Sequence, residues 1–324
     1  MDFADGEKSS RASGESGGAI MNNENGKFTA AAVQTAPVFL NKAETIGKVA
    51  SLIEEAGRNG ASLIVFPEAT VPCYPYWPKD IGSAEGRKHI LDAYMELHKN
   101  SVEIPDADTE KLCAAAKKAG AYVVVGVNER EGGTIYNTIL YINKDGSILG
   151  RHRKLMSIDS EKCIWGNGGA EDIGVFDTEL GKAAMFLKGE QIHAGLWAGH
   201  GFVKPTMDFA SREYAFEGQV FVVAAAGHIT EDMIPDSFPL KKHTLWDFPG
   251  GTGIISPRGD YLAGPIYGKE DIVYAEIDPS LIIRAKAVID GVGHFSRPDI
   301  LKLEIKGYDA ARGKKREKNP AAAP

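Results

Sequence analysis

Glu68 is the first residue whose type and setting suggest chemistry. It lies in VFPEA (Val65–Ala69), directly after the continuous apolar run that opens at Ala61. A carboxylate at the mouth of a buried strand is costly to ionise unless a cation is near, the setting of a general base tuned towards neutral pH. A loop carboxylate that merely caps the next segment is the competing reading. Lys154 sits in GRHRKLMS (Gly150–Ser157), beside the apolar pair Leu155–Met156. It is either a buried cation paired with Glu68 or the solvated end of a basic strand. Glu161, in DSEKCIWG, is either a second carboxylate of the same pocket or a surface residue. Tyr74, Tyr76 and Trp77 form an aromatic run after Glu68. As pocket walls they would suit an aromatic or arylaliphatic side chain; as packing they need no ligand at all. No glycine-rich phosphate loop follows a strand and no histidine pair has metal-ligand spacing, so no cofactor or metal is expected.

The frame for these side chains is an alternation of strands and helices. FTAAAVQTA (Phe28–Ala36) is rich in strand formers, and Ile46, Val49, Leu52, Ile53 and Ala56 recur at helical spacing within Ala43–Gly57. ASLIVFPE (Ala61–Glu68) and AYVVVGVNE (Ala121–Glu129) read as strands buried on both faces, with a helix over Asp108–Ala119 between them. Gly133–Leu149 reads as a hairpin turned at NKDG, and GVFDTELGK (Gly174–Lys182) begins a second. EQIHAGLW, a helix over Thr206–Gly218, QVFVVAAAG, TGIISP and DIVYAEID complete the set, with PRGD and GPIYG placed at turns. At 324 residues, 43% hydrophobic, the chain can build one large α/β domain or two small ones. A net charge of −7 opposes a phosphate backbone, so nucleic acid is not expected as a partner. Three scattered cysteines form neither a disulfide framework nor a zinc site and suggest a reducing, cytoplasmic setting. No apolar run approaches the ~18 residues of a membrane span. Residues 1–26 are too polar to offset their ordering entropy and are expected to be disordered, as is the tail from Gly307.

Five stretches then fall into a familiar order: VFPEATVPCYPYW, GRHRKLM with a following E-x-x-x-W-G, GEQIHAGLW, FPGGTGIISPRGDYLAGP and GHFSRPD. Over residues 27–306 the chain resembles the nitrilase family of carbon–nitrogen hydrolases. The resemblance implies a single four-layer α-β-β-α sandwich and a homo-oligomer built from dimers, often extended into spirals. It implies hydrolysis of a small organic nitrile to a carboxylic acid and ammonia through a cysteine thioimidate, without a cofactor. Carried over by motif, Glu68 matches the general base, Lys154 the cation that stabilises developing charge, and Glu161 a second glutamate that positions lysine and substrate. Tyr74, Trp77 and Trp165 fall where substrate would be bound. The logic is physical: a thiol is mostly protonated at neutral pH and needs a base and a positive neighbour.

The resemblance also has a gap. The family's cysteine ends a strand in a stretch like I-C-W-E-N, a short helix follows, and only then comes K-G-E-Q-I-H. Here Leu180–Lys182 matches the turn before that strand and Lys188–His193 the segment after the helix, with only AAMFL between them. A strand of about five residues and the first turns of a helix, roughly fifteen residues in all, are expected to be missing between Lys182 and Ala184, the nucleophile with them. A rival alignment sets Lys188 at the cysteine position and Glu190 at the glutamate of W-E-N. Cys73, five residues after Glu68, is the only cysteine near enough in sequence to substitute, while Cys113 and Cys163 read as packing. Beside the inactive-hydrolase reading stands a second, a non-catalytic subunit that modulates oligomers of an intact nitrilase.

Overall fold

The computed structural model describes residues 26–78, 84–169, 176–183, 189–291, 293–297 and 299–300, with short pieces at 308–309 and 314–315. The expected disordered N-terminal extension, most of the tail, and Lys188 with its neighbours 184–187 lie outside the described residues.

Strand β1 (Phe28–Gln34) shows how the layers arise. Its successive alanines point to opposite faces: Ala31 and Val33 join a core under two helices, while Ala30 and Ala32 join a core between two sheets. The helices on the first face are α1 (Lys42–Arg58) and α3 (Ala107–Ala119). Helix α1 is capped by Asn41, whose side chain accepts from Glu44 N, and it buries Ile46, Val49 and Ile53. Asp106 and Thr109 form a reciprocal capping box at the start of α3, and Gly120, at φ 64°, closes it. The first sheet has the order β14-β1-β2-β3-β4-β5, using β2 (Ala61–Val65), β3 (Tyr122–Glu131), β4 (Thr134–Ile142), β5 (Ile148–Arg153) and β14 (Asp271–Ile277). A two-residue strand, β6 (Trp165–Gly166), adds to β4.

The second sheet runs β11-β12-β10-β9-β8-β7, with β13 paired to β12. Its members are β7 (Phe176–Thr178), β8 (Gly181–Ala183), β9 (Ile192–Trp197), β10 (Phe221–Ala226), β11 (His228–Ile229), β12 (Phe248–Ile255) and β13 (Tyr261–Tyr267). Phe221, Val223, Ala225 and Ile254 meet Ala30, Ala32, Leu63 and Val65 between the sheets. Helix α4 (Lys204–Gly218) covers the outer face with Ala215 against Val222, Ala224 and Ile255. The result is an α-β-β-α sandwich, as the family resemblance implies. Both expected hairpins form, β4–β5 and β7–β8. GPIYG is not a turn: Gly264–Tyr267 belongs to β13, where Ile266 and Tyr267 pair with Thr252 and Gly250 of β12 across an irregular register. Two helices escape the sequence reading, α2 (Ala84–Lys99) and the short α5 (Ser280–Lys286).

Strand direction places the functional end. β1, β2 and β3 are mutually parallel, β9 is parallel to β10, and Thr35 bridges Gly227 where β1 and β10 end. The carboxyl ends of all five strands therefore share one end of the sandwich. Gln34 locks the two sheets there, accepting from Gly251 N at 2.8 Å and Thr252 N at 3.1 Å.

Candidate active site

Glu68 is held at that end by a loop stitched to β3. Phe66 N donates to Val124 O, Val71 N to Gly126 O and Asn128 N to Val71 O. The loop lies so close to β3 that a Cβ on Gly126 would stand 2.3 Å from Pro67 O and 2.5 Å from Ala69 N. Ala69 turns the chain with φ at 48°, a left-handed conformation that costs a non-glycine residue about 1 kcal/mol, and Thr70 Oγ1 closes the turn on Pro67 O at 2.8 Å.

Lys154 follows β5, whose end is anchored by the buried Glu129. That carboxylate accepts from Arg153 Nε at 2.9 Å and Nη2 at 2.7 Å, from Thr138 Oγ1 at 2.8 Å, and from Arg151. Lys154 N donates to Asn137 O, and Lys154 O accepts from Gly168 N, both at 2.8 Å. The ammonium then bridges two carboxylates, 2.8 Å from Glu68 Oε1 and 3.0 Å from Glu161 Oε1. Burial opposes the charge on Lys154, but the two carboxylates outweigh it and hold its pKa above the ordinary lysine value. Lys154 thus stays cationic across neutral pH.

The two glutamates are satisfied differently. Glu161 Oε1 accepts from Tyr74 OH at 2.7 Å and from Lys154, and its Oε2 accepts from Ile158 N at 2.9 Å. Glu68 Oε1 accepts from Asn137 Nδ2 at 2.7 Å and from Lys154. Among the described residues nothing donates to Glu68 Oε2. Glu161 is therefore engaged at both oxygens, while Glu68 keeps one oxygen able to take a proton.

Aromatic rings enclose the cluster. Trp165 lies beneath Lys154, with Nζ 5.7 Å from its ring centre, and its Nε1 donates to Asn128 Oδ1 at 2.8 Å. Tyr74 packs edge-on to Trp165 at 5.2 Å and His200 at 5.2 Å, and Tyr76 meets Phe248 at 4.0 Å. Burial first, then the charges of Glu68 and Glu161, pushes the Tyr74 phenol far above its usual range, so it remains a donor. Burial, Cys73 and Glu68 do the same for Tyr76.

Residues 29–287 match the family described as carbon–nitrogen hydrolase. The chain belongs to that family. It is 36% identical to a nitrilase of Bacillus sp. (strain OxB-1) over 305 aligned positions, which take in 86% of this chain and 88% of the relative. It is 34% identical to nitrilase 1 of Arabidopsis thaliana over 308 positions, 84% of this chain and 85% of the relative. In fold it is similar to the carbon–nitrogen hydrolase of Helicobacter pylori G27, with a TM-score of 0.66 at 22% identity over 85% of this chain and 97% of that one.

Within this carbon–nitrogen hydrolase fold, Glu68, Lys154, Glu161, Tyr74 and Trp165 come together as one cluster. Trp77 does not join them. Its ring is fully buried between Phe39 at 5.9 Å and Phe238 at 5.3 Å, a core position rather than a pocket wall. Tyr76, also named in the aromatic run, lies beside Tyr74, 5.1 Å from it ring to ring, and is itself buried. Cys73 is fully buried, and burial drives its thiol pKa far above the ordinary value. Cys113 is half-buried on α3 against the core. Cys163, expected as packing, is exposed.

Glu190 argues against the rival alignment. Its Oε1 lies 3.0 Å from His193 Nδ1 and its Oε2 accepts from Tyr214 OH at 2.7 Å. It precedes Ile192, which pairs with Phe221 at the start of β10. That is the amino end of β9, about 20 Å of strand from the cluster. Asn137, whose amide donates to Glu68, is the member of the cluster that the sequence alone does not single out. Its sequence signal is a polar residue within the apolar strand TIYNTILYI, and the structure leaves only 5% of it exposed.

Proposed function

We propose that this chain is a nitrilase-type carbon–nitrogen hydrolase that retains the base, the cation and the positioning carboxylate but lacks the nucleophilic cysteine. It is consequently inactive or severely impaired in nitrile hydrolysis by the thioimidate route. The observation that carries the reading is the shortness of the chain at the second sheet. Among the described residues β8 pairs with β9 at Ala183 alone, and the sequence has only five residues, 184–188, between Ala183 and Gly189. In addition, the alignment with the Bacillus nitrilase runs over 305 positions but takes in only about 279 residues here, 86% of 324, so roughly 26 positions have no counterpart. That is enough for the strand and helix start inferred to be missing.

The chemistry follows from what remains. Glu68 Oε2 can accept a proton and Lys154 can stabilise an anionic intermediate, but the bond to the nitrile carbon has no sulfur to form it. Cys73 cannot supply one, because an apolar surround keeps its thiol neutral. Loss of the nucleophile from a covalent hydrolase costs on the order of a millionfold in turnover. The site would still hold a small nitrile against Tyr74, Trp165 and Lys154. Residues 27–306 form the working domain on this reading.

The test is insertion of about fifteen residues, a cysteine-ended strand and the first turns of a helix, between Ala183 and Ala184. Ammonia release from a nitrile should appear in the inserted chain and be absent from the parent. Turnover by the purified parent at a rate comparable with intact nitrilases sinks the proposal, and so does a folded but inert insertion product.

A second reading, a non-catalytic subunit of a mixed oligomer, is favoured by one feature. Phe209 and Phe216, seven residues apart on α4, share a helix face and are 69% and 45% exposed, and Phe202 in the turn just before the helix is 65% exposed. Co-expression with an intact nitrilase should then give a mixed assembly that Phe209→Glu abolishes; separate assemblies discard the reading.

A further inference from the structure

A second cleft lies at the opposite end of the sandwich from Glu68. It is bounded by the end of α4, the β12–β13 turn and the segment from α5 to Ile289, and its volume is about 490 Å³. Phe248, at the start of β12, touches the active-site ring of His200 at 4.4 Å. The cleft begins beyond the other end of that strand, at Pro257, roughly 30 Å away at the rise of an extended chain. Phe216, Leu281, Val288 and Ile289 supply apolar walls, and Arg258 and Arg284 are the charged lining residues. Among the described residues no carboxylate lines it. Among the described residues neither guanidinium has an ion-pair partner, in a chain whose net charge is −7.

We infer that this cleft is a binding site for a small amphipathic carboxylate, its carboxylate between Arg258 and Arg284 and its hydrocarbon body against Phe216, Leu281 and Val288. The size suits a ligand of this class, since small-molecule sites span about 300–1,000 Å³ with mostly apolar walls and a few convergent polar groups. The charge selects the sign: guanidinium forks match a carboxylate in geometry and repel an ammonium. The walls select the body, because Val288 is 71% exposed and Phe216 45% exposed, and both regain cover when a hydrocarbon fills the cleft. The inference is independent of the missing nucleophile, and its failure leaves that reading untouched.

Calorimetric titration of the full chain with decanoate tests it. Decanoate should saturate a single site, while decyltrimethylammonium and inorganic phosphate, which each lack one half of the recognition, bind at least about tenfold more weakly. The double variant Arg258→Ala/Arg284→Ala should weaken decanoate at least about tenfold, and Arg258→Lys/Arg284→Lys should retain part of the affinity. Val288→Asp, at an exposed position that the fold does not need, should weaken it comparably by placing a like charge in the wall. Failure of decanoate to saturate below its micelle-forming concentration overturns the inference. Equal binding of decyltrimethylammonium overturns it, as does an affinity unchanged by both the double alanine and the Val288→Asp variants.

Discussion

Lys154 is shared between two carboxylates, and the sharing makes its removal expensive. Without the ammonium, Glu68 and Glu161 face each other as like charges in a partly buried site with fewer donors. Breaking such a pair by deleting one partner costs about 3–5 kcal/mol when fully buried, and roughly half that here because Lys154 keeps 29% of its side chain exposed. Lys154→Met should therefore lower the unfolding free energy by about 2 kcal/mol in urea titrations at pH 7. The pH dependence has a definite sign. The folded-state pKa of Lys154 is raised, so its contribution is fully present below the ordinary lysine value near 10.5 and is lost as pH rises through the folded value. The gap between parent and variant should be flat from about pH 6 to 9 and shrink only above about 10.5. A gap that closes near pH 8 would mean Lys154 is not held charged by its neighbours. The pairing of Glu68 with Lys154 was open in the sequence as one of two readings for each residue. Asn137, which holds the carboxylate by its side chain and the lysine by its carbonyl, was not, because a single asparagine in an apolar strand has no periodicity of its own.

Elements carry these side chains by close contact between backbones, and Gly126 is the tightest point. A methyl group there meets Pro67 O and Ala69 N below any tolerable separation, and both are backbone atoms that cannot rotate away. Gly126→Ala should push the Glu68 loop off β3 at a cost of about 1–3 kcal/mol, visible as a lower melting temperature and altered exchange of the Val71 amide, which now bonds Gly126 O. An unchanged melting temperature would mean the loop is not anchored on β3. A second element-level clamp joins the first helix to the β13–β14 turn. Glu270 accepts from Thr35 Oγ1 at 2.8 Å, Ala36 N at 2.7 Å and Lys48 Nζ at 2.5 Å. Burial would raise its pKa, but Lys48 and the two hydrogen bonds from Ala36 and Thr35 win and hold it below the usual carboxylate value. Its stabilisation is present above the unfolded pKa near 4.5 and is lost as pH falls through the folded value. Glu270→Gln should cost on the order of 1 kcal/mol at pH 7 after allowing for solvent screening, and almost nothing well below pH 4. A cost that persists in acid would assign the effect to shape rather than charge. Strands β2, β3 and β10 were legible because each is an unbroken apolar run. Helix α2 is not legible in the sequence although Ile90, Tyr94 and Leu97 have helical spacing, since Leu91 and Met95, 74% and 64% exposed, blur the apolar face. GPIYG reads as a turn in sequence because glycine and proline punctuate loops, yet the cross-strand pairing of Tyr261–Tyr267 with β12 outweighs that local preference.

At the scale of the whole molecule, the two sheets are unequal. The first is continuous from β14 to β5, with seven register pairs between β1 and β14 and nine between β3 and β4. In the second, β9 pairs with β10 along all six residues, but on its other side it meets β8 only where Ala183 faces Ile192. From His193 to Trp197 that outer edge has no strand partner among the described residues. The indole nitrogen of Trp197, buried and without a hydrogen-bond partner there, lies on the same stretch. Backbone groups on such an edge are opened by local fluctuations, whereas those in the first sheet are released only when the domain unfolds. Native-state hydrogen exchange should therefore divide the molecule. Amides of β2 and β3 should exchange at the rate of global unfolding, and the β9 amides that point away from β10 at least about a hundredfold faster. Alternate amides of β9, bonded to β10, provide an internal reference within the same strand. Insertion of the cysteine-ended strand should protect the outward amides and leave the inward ones unchanged. Equal protection of both sets in the parent chain would show that this edge is already covered, and the second sheet would need no further strand to be complete.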